Sequence, residues 1–187
     1  MFSLYVKKNK KETRPLVLLE NKHILLHYFS NGCLMLKEWM FNNKRHRTNG
    51  PASIYYYDTG IVRIEEWFIS GKKHRTYGPA TIWYNETGFI EVEGWYGNGK
   101  IHRLNGPAEI WHNETGFIEV EKWYENNKIH RLNGPAYITY SATGLIQAEW
   151  WYENDEIHRL NGPSVIHYNE NGTILNEVWW YNNKCIN

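Results

Sequence analysis

The sequence predicts an all-β protein: an elongated array of about five to six stacked antiparallel β-hairpins with a 28-residue repeat. Three observations predict it. His-Arg returns at His46, His74, His102, His130 and His158 with nothing inserted between copies, and Gly-Pro follows each in phase, from Gly50 to Gly162. Apolar and polar residues alternate with period two, Ala108, Ile110 and His112 against Glu109 and Trp111, then Ile118 and Val120 against Glu119 and Glu121. Ten Trp and fourteen Tyr in 187 residues favour pleated structure over helix.

Along the chain, residues 1–21 precede the first repeat and read as an N-terminal cap segment, with a basic cluster between Lys7 and Lys11. Residues 22–187 read as one hairpin array whose last unit is truncated. Its first unit, around residues 22–45, keeps Asn31, Gly32 and Trp39 but carries Lys22, His23 and Ile24 where later units have Gly-Pro-Ala. In the unit from Ile101 to Lys128, HRLNGPAEIWH reads as one extended segment, NETG as a turn, FIEVEKWYE as a second extended segment and NNK as another turn. Each repeat is thus expected to hold two strands. Pro107 has no N–H to give to a ladder and Gly106 supplies permissive backbone, so Asn-Gly-Pro is expected to bend the first strand.

The repeated polar residues read as a structural clasp. A two-residue turn at Asn98 and Gly99 sets Trp95 opposite His102, and a three-residue loop sets it opposite Arg103; either register brings an imidazole or a cation to an indole. Glu93, two residues before Trp95, lies on the same strand face, within diagonal reach of His102 or Arg103. The same set recurs as Glu121, Trp123, His130 and Arg131, and as Glu149, Trp151, His158 and Arg159. A residue required at each packing step recurs whether or not anything binds it. Trp83, Trp111, Trp150 and Trp180 break the phase of the repeat, which makes them the candidate interaction residues.

Composition and motifs exclude several classes. A net charge of +1 argues against a polybasic nucleic-acid arm, and the periodic Glu row offsets the His-Arg row. Each repeat brings one histidine at the conserved phase, without a cysteine or second histidine at ligand spacing, so no metal is expected. Glycines mark turns and form neither GxGxxG nor a P-loop, and no nucleophile motif occurs, so no cofactor and no catalytic residue is expected. Cys33 and Cys185 stand outside any CxxC and are expected to be reduced. No stretch has secretory or membrane-spanning character, which points to an intracellular, cytoplasmic protein.

The pattern Trp-Tyr-x-Asn-x-Lys-x-His-Arg-x-x-Gly-Pro-Ala-x-Ile resembles MORN-type repeats in a variant form, over about residues 22 to 185. That resemblance implies stacked β-hairpins and a scaffolding or tethering role. The unit of 28 residues is longer than the family's, and His-Arg with Gly-Pro stands where the family has spaced glycines. The wording His-Arg-x-x-Gly-Pro-Ala is also similar to repeats of large DNA viruses, which implies a viral structural component and a place in the virion. The expected function is a non-enzymatic structural or adaptor protein contacting a protein partner or further copies of itself through open strand edges. Neither a small-molecule substrate, a nucleic acid nor a membrane is expected as partner. The alternative is a repetitive binder of polyanion or glycan along the His-Arg and aromatic rows.

Overall fold

The protein is described by a computed structural model covering residues 3–7 and 21–186. Most of the expected cap, residues 1–2 and 8–20, lies outside the described residues. The chain divides into two compact units, Met1–Ile90 with Gly97–Gly99, and Glu91–Tyr96 with Lys100–Asn187. Among the described residues both are built of strands and turns, and no helix is long and apolar enough to cross a membrane.

In the first unit the sheet runs Ser3–Lys7, Lys22–Tyr28, Leu34–Phe41, Ser53–Tyr56, Val62–Glu66 and Thr81–Tyr84. Neighbours are antiparallel except that Ser3–Lys7 lies parallel to Lys22–Tyr28, with Ser3 against His23 and Lys7 against His27. In the second unit Glu109–His112 and Ile118–Lys122 form a hairpin, followed by Tyr137–Tyr140 with Ile146–Trp150 and by Val165–Tyr168 with Ile174–Val178. Each hairpin hydrogen-bonds to the next, so the second unit is a stack of antiparallel hairpins.

Turn chemistry explains the hairpin tips. In Asn-Glu-Thr-Gly, the Asn113 side-chain oxygen accepts the N–H groups of Thr115 and Phe117 and the Thr115 hydroxyl, while the Gly116 N–H donates to the Asn113 carbonyl. Gly116 sits at φ +85°, where a side chain is strained.

The repeat holds four short strands rather than the expected two, because Trp123 is a junction. Its N–H donates to the Ala136 carbonyl of the next hairpin, while its own carbonyl accepts the His130 N–H. The chain therefore leaves the main ladder and forms a side hairpin, Tyr124–Glu125 with Lys128–Ile129, closed by Asn126 and Asn127 at φ 51° and 75°. Successive positive φ values are those of the two-residue turn that matches strand twist, and Asn tolerates them. His130 to Pro135 then returns without pairing as a strand, since Gly134 takes φ +142° and Pro135 has no N–H.

The core is thin and periodic. Ile110, Ile138 and Ile166 are buried, and Glu121, which faces Ile110 on one side and Ile138 on the other, shares their side of the sheet. Burying such an isoleucine contributes about 1.5–3 kcal/mol. Ala52, Ala80, Ala108 and Ala136 are wholly buried, as is Ser164 at the same phase. Ala108 gives its N–H to Lys122 and its carbonyl to Trp95, so this small residue sits where two hairpins meet and a larger one would overpack the joint.

Candidate functional site

The repeated Trp, Arg, Gly and Pro form one device, seen five times, at the root of the side hairpins that follow Trp39, Trp67, Trp95, Trp123 and Trp151. The register is that of the two-residue turn, with the His102 N–H bonded to the Trp95 carbonyl, yet the group that covers the indole is the next side chain, Arg103. Its guanidinium lies 4.0 Å from the Trp95 ring centroid; Arg75 on Trp67 and Arg131 on Trp123 repeat 4.0 Å, and Arg47 on Trp39 and Arg159 on Trp151 repeat 3.9 Å. In each case Nη1 donates to the proline carbonyl four residues on, at 3.0 Å from Arg103 to Pro107 and 2.9 Å from Arg159 to Pro163. Glycine is favoured there because Gly106 takes φ +151°, which strains a side chain, and because a Cβ would stand 3.0 Å from the Arg103 Cζ and press on the guanidinium. Five guanidinium groups are thus laid on indoles and tied to carbonyls, rather than presented as a bare cationic ridge.

Histidine serves the joint between repeats. Nδ1 of His102 and of His130 accepts the N–H of Asn126 and of Asn154 in the next side hairpin, at 3.4 and 3.3 Å. His46 and His74 take Ser70 and Asn98 in the same way. An accepting Nδ1 leaves the neutral ring's proton on Nε2. The buried Nδ1 of His158 has no hydrogen-bond partner, although its Nε2 lies 3.7 Å from Glu153 and its ring 4.8 Å from that of Tyr181.

A second clip joins the same turns. Asn127 gives its N–H to the Ile101 carbonyl and takes the Ile101 N–H on its side-chain oxygen at 2.8 Å. Asp155 does both with Ile129, and Asn183 with Ile157. In the first unit Gly71 and Gly99 hold the turn position and make only the backbone half of this clip, to Arg45 and Lys73.

The periodic glutamates go to the following hairpin strand. Glu121 accepts the Tyr140 hydroxyl and Glu149 that of Tyr168, both at 2.7 Å, Glu65 accepts that of Tyr84 at 2.9 Å, and Glu93 pairs with His112 Nε2 at 3.2 Å. Burial, and then the bond to Glu121, hold the Tyr140 hydroxyl well above its ordinary pKa; burial and Glu149 push Tyr168 up to about 12. These hydroxyls stay protonated and donating. The glutamates also bear on the arginines through space: burial lowers the Arg47 guanidinium while the Glu65 charge partly restores it.

Of the four tryptophans out of phase, Trp83 and Trp111 are each 43% exposed. Trp111 is pinned by its Nε1–H to Glu109 at 2.7 Å, with the Lys122 ammonium 5.3 Å from the ring centroid and bonded to the same carboxylate. Trp150 is half-buried, stacked 4.5 Å from Tyr137 and edge-on to His167. Trp180 is half-buried in a side hairpin, its backbone N–H bonded to the Ser164 hydroxyl and its carbonyl accepting from it.

The residues that sequence reasoning missed are Leu104, Leu132 and Leu160, exposed by 85, 78 and 71%. They border two equivalent grooves of the second unit, Leu132 between the two and Leu104 and Leu160 at the outer rims. One, of about 540 Å³, is floored by Trp123, Tyr124 and Glu125 between the loops of Leu104 and Leu132. The next, of about 660 Å³, is floored by Trp151, Tyr152 and Glu153 between Leu132 and Leu160. In the first unit a groove of about 470 Å³ has Thr48 and Thr76 at the leucine phase, with Tyr77 87% exposed beside it. The signal was present in the sequence, a large apolar residue repeated before Asn-Gly-Pro.

Cys33 and Cys185 are both exposed, and among the described residues no three His, Cys, Asp or Glu side chains gather as metal ligands. Comparison of the chain with protein-family models, with curated proteins and with solved structures finds no match in any of the three.

Proposed function

We propose that the chain is a non-enzymatic, MORN-like hairpin repeat protein that acts as a structural adaptor, contacting a protein partner or further copies of itself. The observation that carries this reading is the row of exposed leucines alternating with aromatic-floored grooves. Exposed apolar residues that recur in register, rimmed by polar groups, mark interaction surfaces. Histidine, arginine, glycine and proline are consumed in holding the loops that present them. The His-Arg-x-x-Gly-Pro wording supports a viral structural component as the setting.

The test is to pan a phage-displayed library of random peptides against the intact protein and against the variant Leu104→Asp/Leu132→Asp/Leu160→Asp, checked for unchanged circular dichroism. Enriched peptides that bind the parent and lose the variant support the proposal; an empty library, or binders indifferent to the leucines, overturn it. One observation favours a glycan or polyanion binder instead: the Trp111 indole is both oriented by Glu109 and open to solvent. Glycan-array binding that disappears in Trp111→Ala, alongside an empty peptide library, would select that second reading.

A further inference from the structure

We infer that the grooves of the second unit receive a proline-rich, acidic segment in the polyproline II conformation, one proline to each groove. The inference rests on the protein-binding reading above and names the chemistry of the partner.

Spacing comes first. The two grooves are separated by one repeat, which adds two strands to the main sheet, a step of about 9.4–9.8 Å from the ordinary strand spacing. A chain that offers the same group to both grooves must repeat at that distance. Polyproline II does so every third residue, at about 9.3 Å. A β-strand returns a side chain to the same face after about 6.6–6.8 Å, well short of the step. A helix comes nearest after seven residues, at about 10.5 Å, and is itself about 10 Å wide, so it would ride on the leucine tips.

The lining fits the same ligand. Trp123 with Tyr124, and Trp151 with Tyr152, put aromatic side chains in the groove lining, and aromatic-lined grooves are where proline-rich segments dock in polyproline recognition. A polyproline II backbone makes no internal hydrogen bonds, and Asn105, Asn133 and Asn161 line the grooves with amides able to donate to its carbonyls. Charge selects the remaining positions. The indole and the proline carbonyl that hold each guanidinium are neutral and leave its charge in place, so Arg103 and Arg131 against Glu125 in the first groove, and Arg131 and Arg159 against Glu153 in the second, give each lining an excess positive charge suited to an acidic residue between prolines.

The experiment titrates the full chain, by tryptophan fluorescence and calorimetry, with synthetic twelve-residue peptides: (Pro-Ala-Glu)4, (Pro-Ala-Ala-Glu)3 and (Pro-Ala-Lys)4. The expected result is that the first binds at least about tenfold tighter than either other, and that Leu132→Asp, which alters the ridge shared by both grooves, weakens it by at least about tenfold with an unchanged melting temperature. Equal binding of the three-residue and four-residue periods, no binding of (Pro-Ala-Glu)4 at millimolar concentration, or indifference to Leu132→Asp overturns the inference. If library peptides bind through the leucines while (Pro-Ala-Glu)4 does not, the adaptor reading stands and the polyproline partner falls; if neither binds, both fall.

Discussion

Replacing Arg131 by Met tests the central device directly. Met keeps an aliphatic stem against the indole of Trp123 but removes the guanidinium 4.0 Å from the ring centroid and the Nη1–H donated to the Pro135 carbonyl at 3.0 Å. The cation–indole contact of a half-buried pair contributes about 1 kcal/mol, and a hydrogen bond from a charged donor about 1.5 kcal/mol. Exposure screens part of both, which puts the expected loss at about 2 kcal/mol. Arg131→Lys keeps the charge and loses the planar fork, so it should recover less than half of that loss. Urea unfolding followed by circular dichroism measures the cost, and a double-mutant cycle with Trp123→Leu should return a coupling of about 1 kcal/mol. Arg103→Met, whose contacts to Trp95 and Pro107 have the same 4.0 and 3.0 Å lengths, should cost the same within about 0.5 kcal/mol. A loss below about 0.5 kcal/mol in Arg131→Met, full rescue by Lys, or no coupling to Trp123 would refute the reasoning.

Glycine positions should separate by what surrounds them: Gly134→Ala, at φ +142° with a Cβ 3.0 Å from the Arg131 Cζ, should cost about 1 kcal/mol more than Gly116→Ala, at φ +85° with nothing within 4 Å. Equal melting midpoints would remove the proposed steric reason for Gly-Pro. His102→Ala and His130→Ala should destabilise alike, by about 1 kcal/mol, since each loses one bond to the next turn. His158→Ala, whose Nδ1 makes no such bond, should cost clearly less; a cost as large as that of His130→Ala would show that the inter-repeat bond is not what histidine supplies. At high pH, Tyr168 gives a linkage of defined sign. Its folded pKa is raised to about 12, so its contribution is whole below the unfolded value of about 10 and is lost as pH rises from there towards 12. Tyr168→Phe should therefore flatten the stability profile across that window, and an unchanged slope would count against the raised pKa that burial and the Glu149 bond give this hydroxyl.

Much of this architecture is legible from residue types and spacing alone. Asn-Glu-Thr-Gly and Asn-Asn-Lys specify turns through their own side-chain and backbone chemistry, so hairpin tips can be read locally. Period-two alternation is present within each strand, but which series shares a face was not legible: Val120 reads with the apolar series, whereas the register sets it opposite Trp111 and sets Glu121 opposite Ile110. The meeting of Arg103 with Trp95 was within the range of registers that the turn allowed, but the register that sets His102 opposite Trp95 does not by itself tell which side chain covers the ring. Leu104 illustrates the limit. By parity it shares a face with His102, Gly106 and Ala108, and as part of an unbroken strand it would point where Ala108 is buried. Gly106 at φ +151° and Pro107 end that parity, and the leucine emerges 85% exposed.

The sequence by itself determined the repeat length, the all-β class and the positions of the turns, because each depends on interactions between residues close along the chain. Tertiary structure alone decided that Glu121 meets Tyr140, that His130 meets Asn154 and that Asp155 clips Ile129. Those partners are 19, 24 and 26 residues apart, separations set by how far one hairpin slides along its neighbour as it stacks. That offset is chosen by the wholly buried alanine at the joint and the handover of the strand at Trp123, where packing and backbone pairing must be satisfied together.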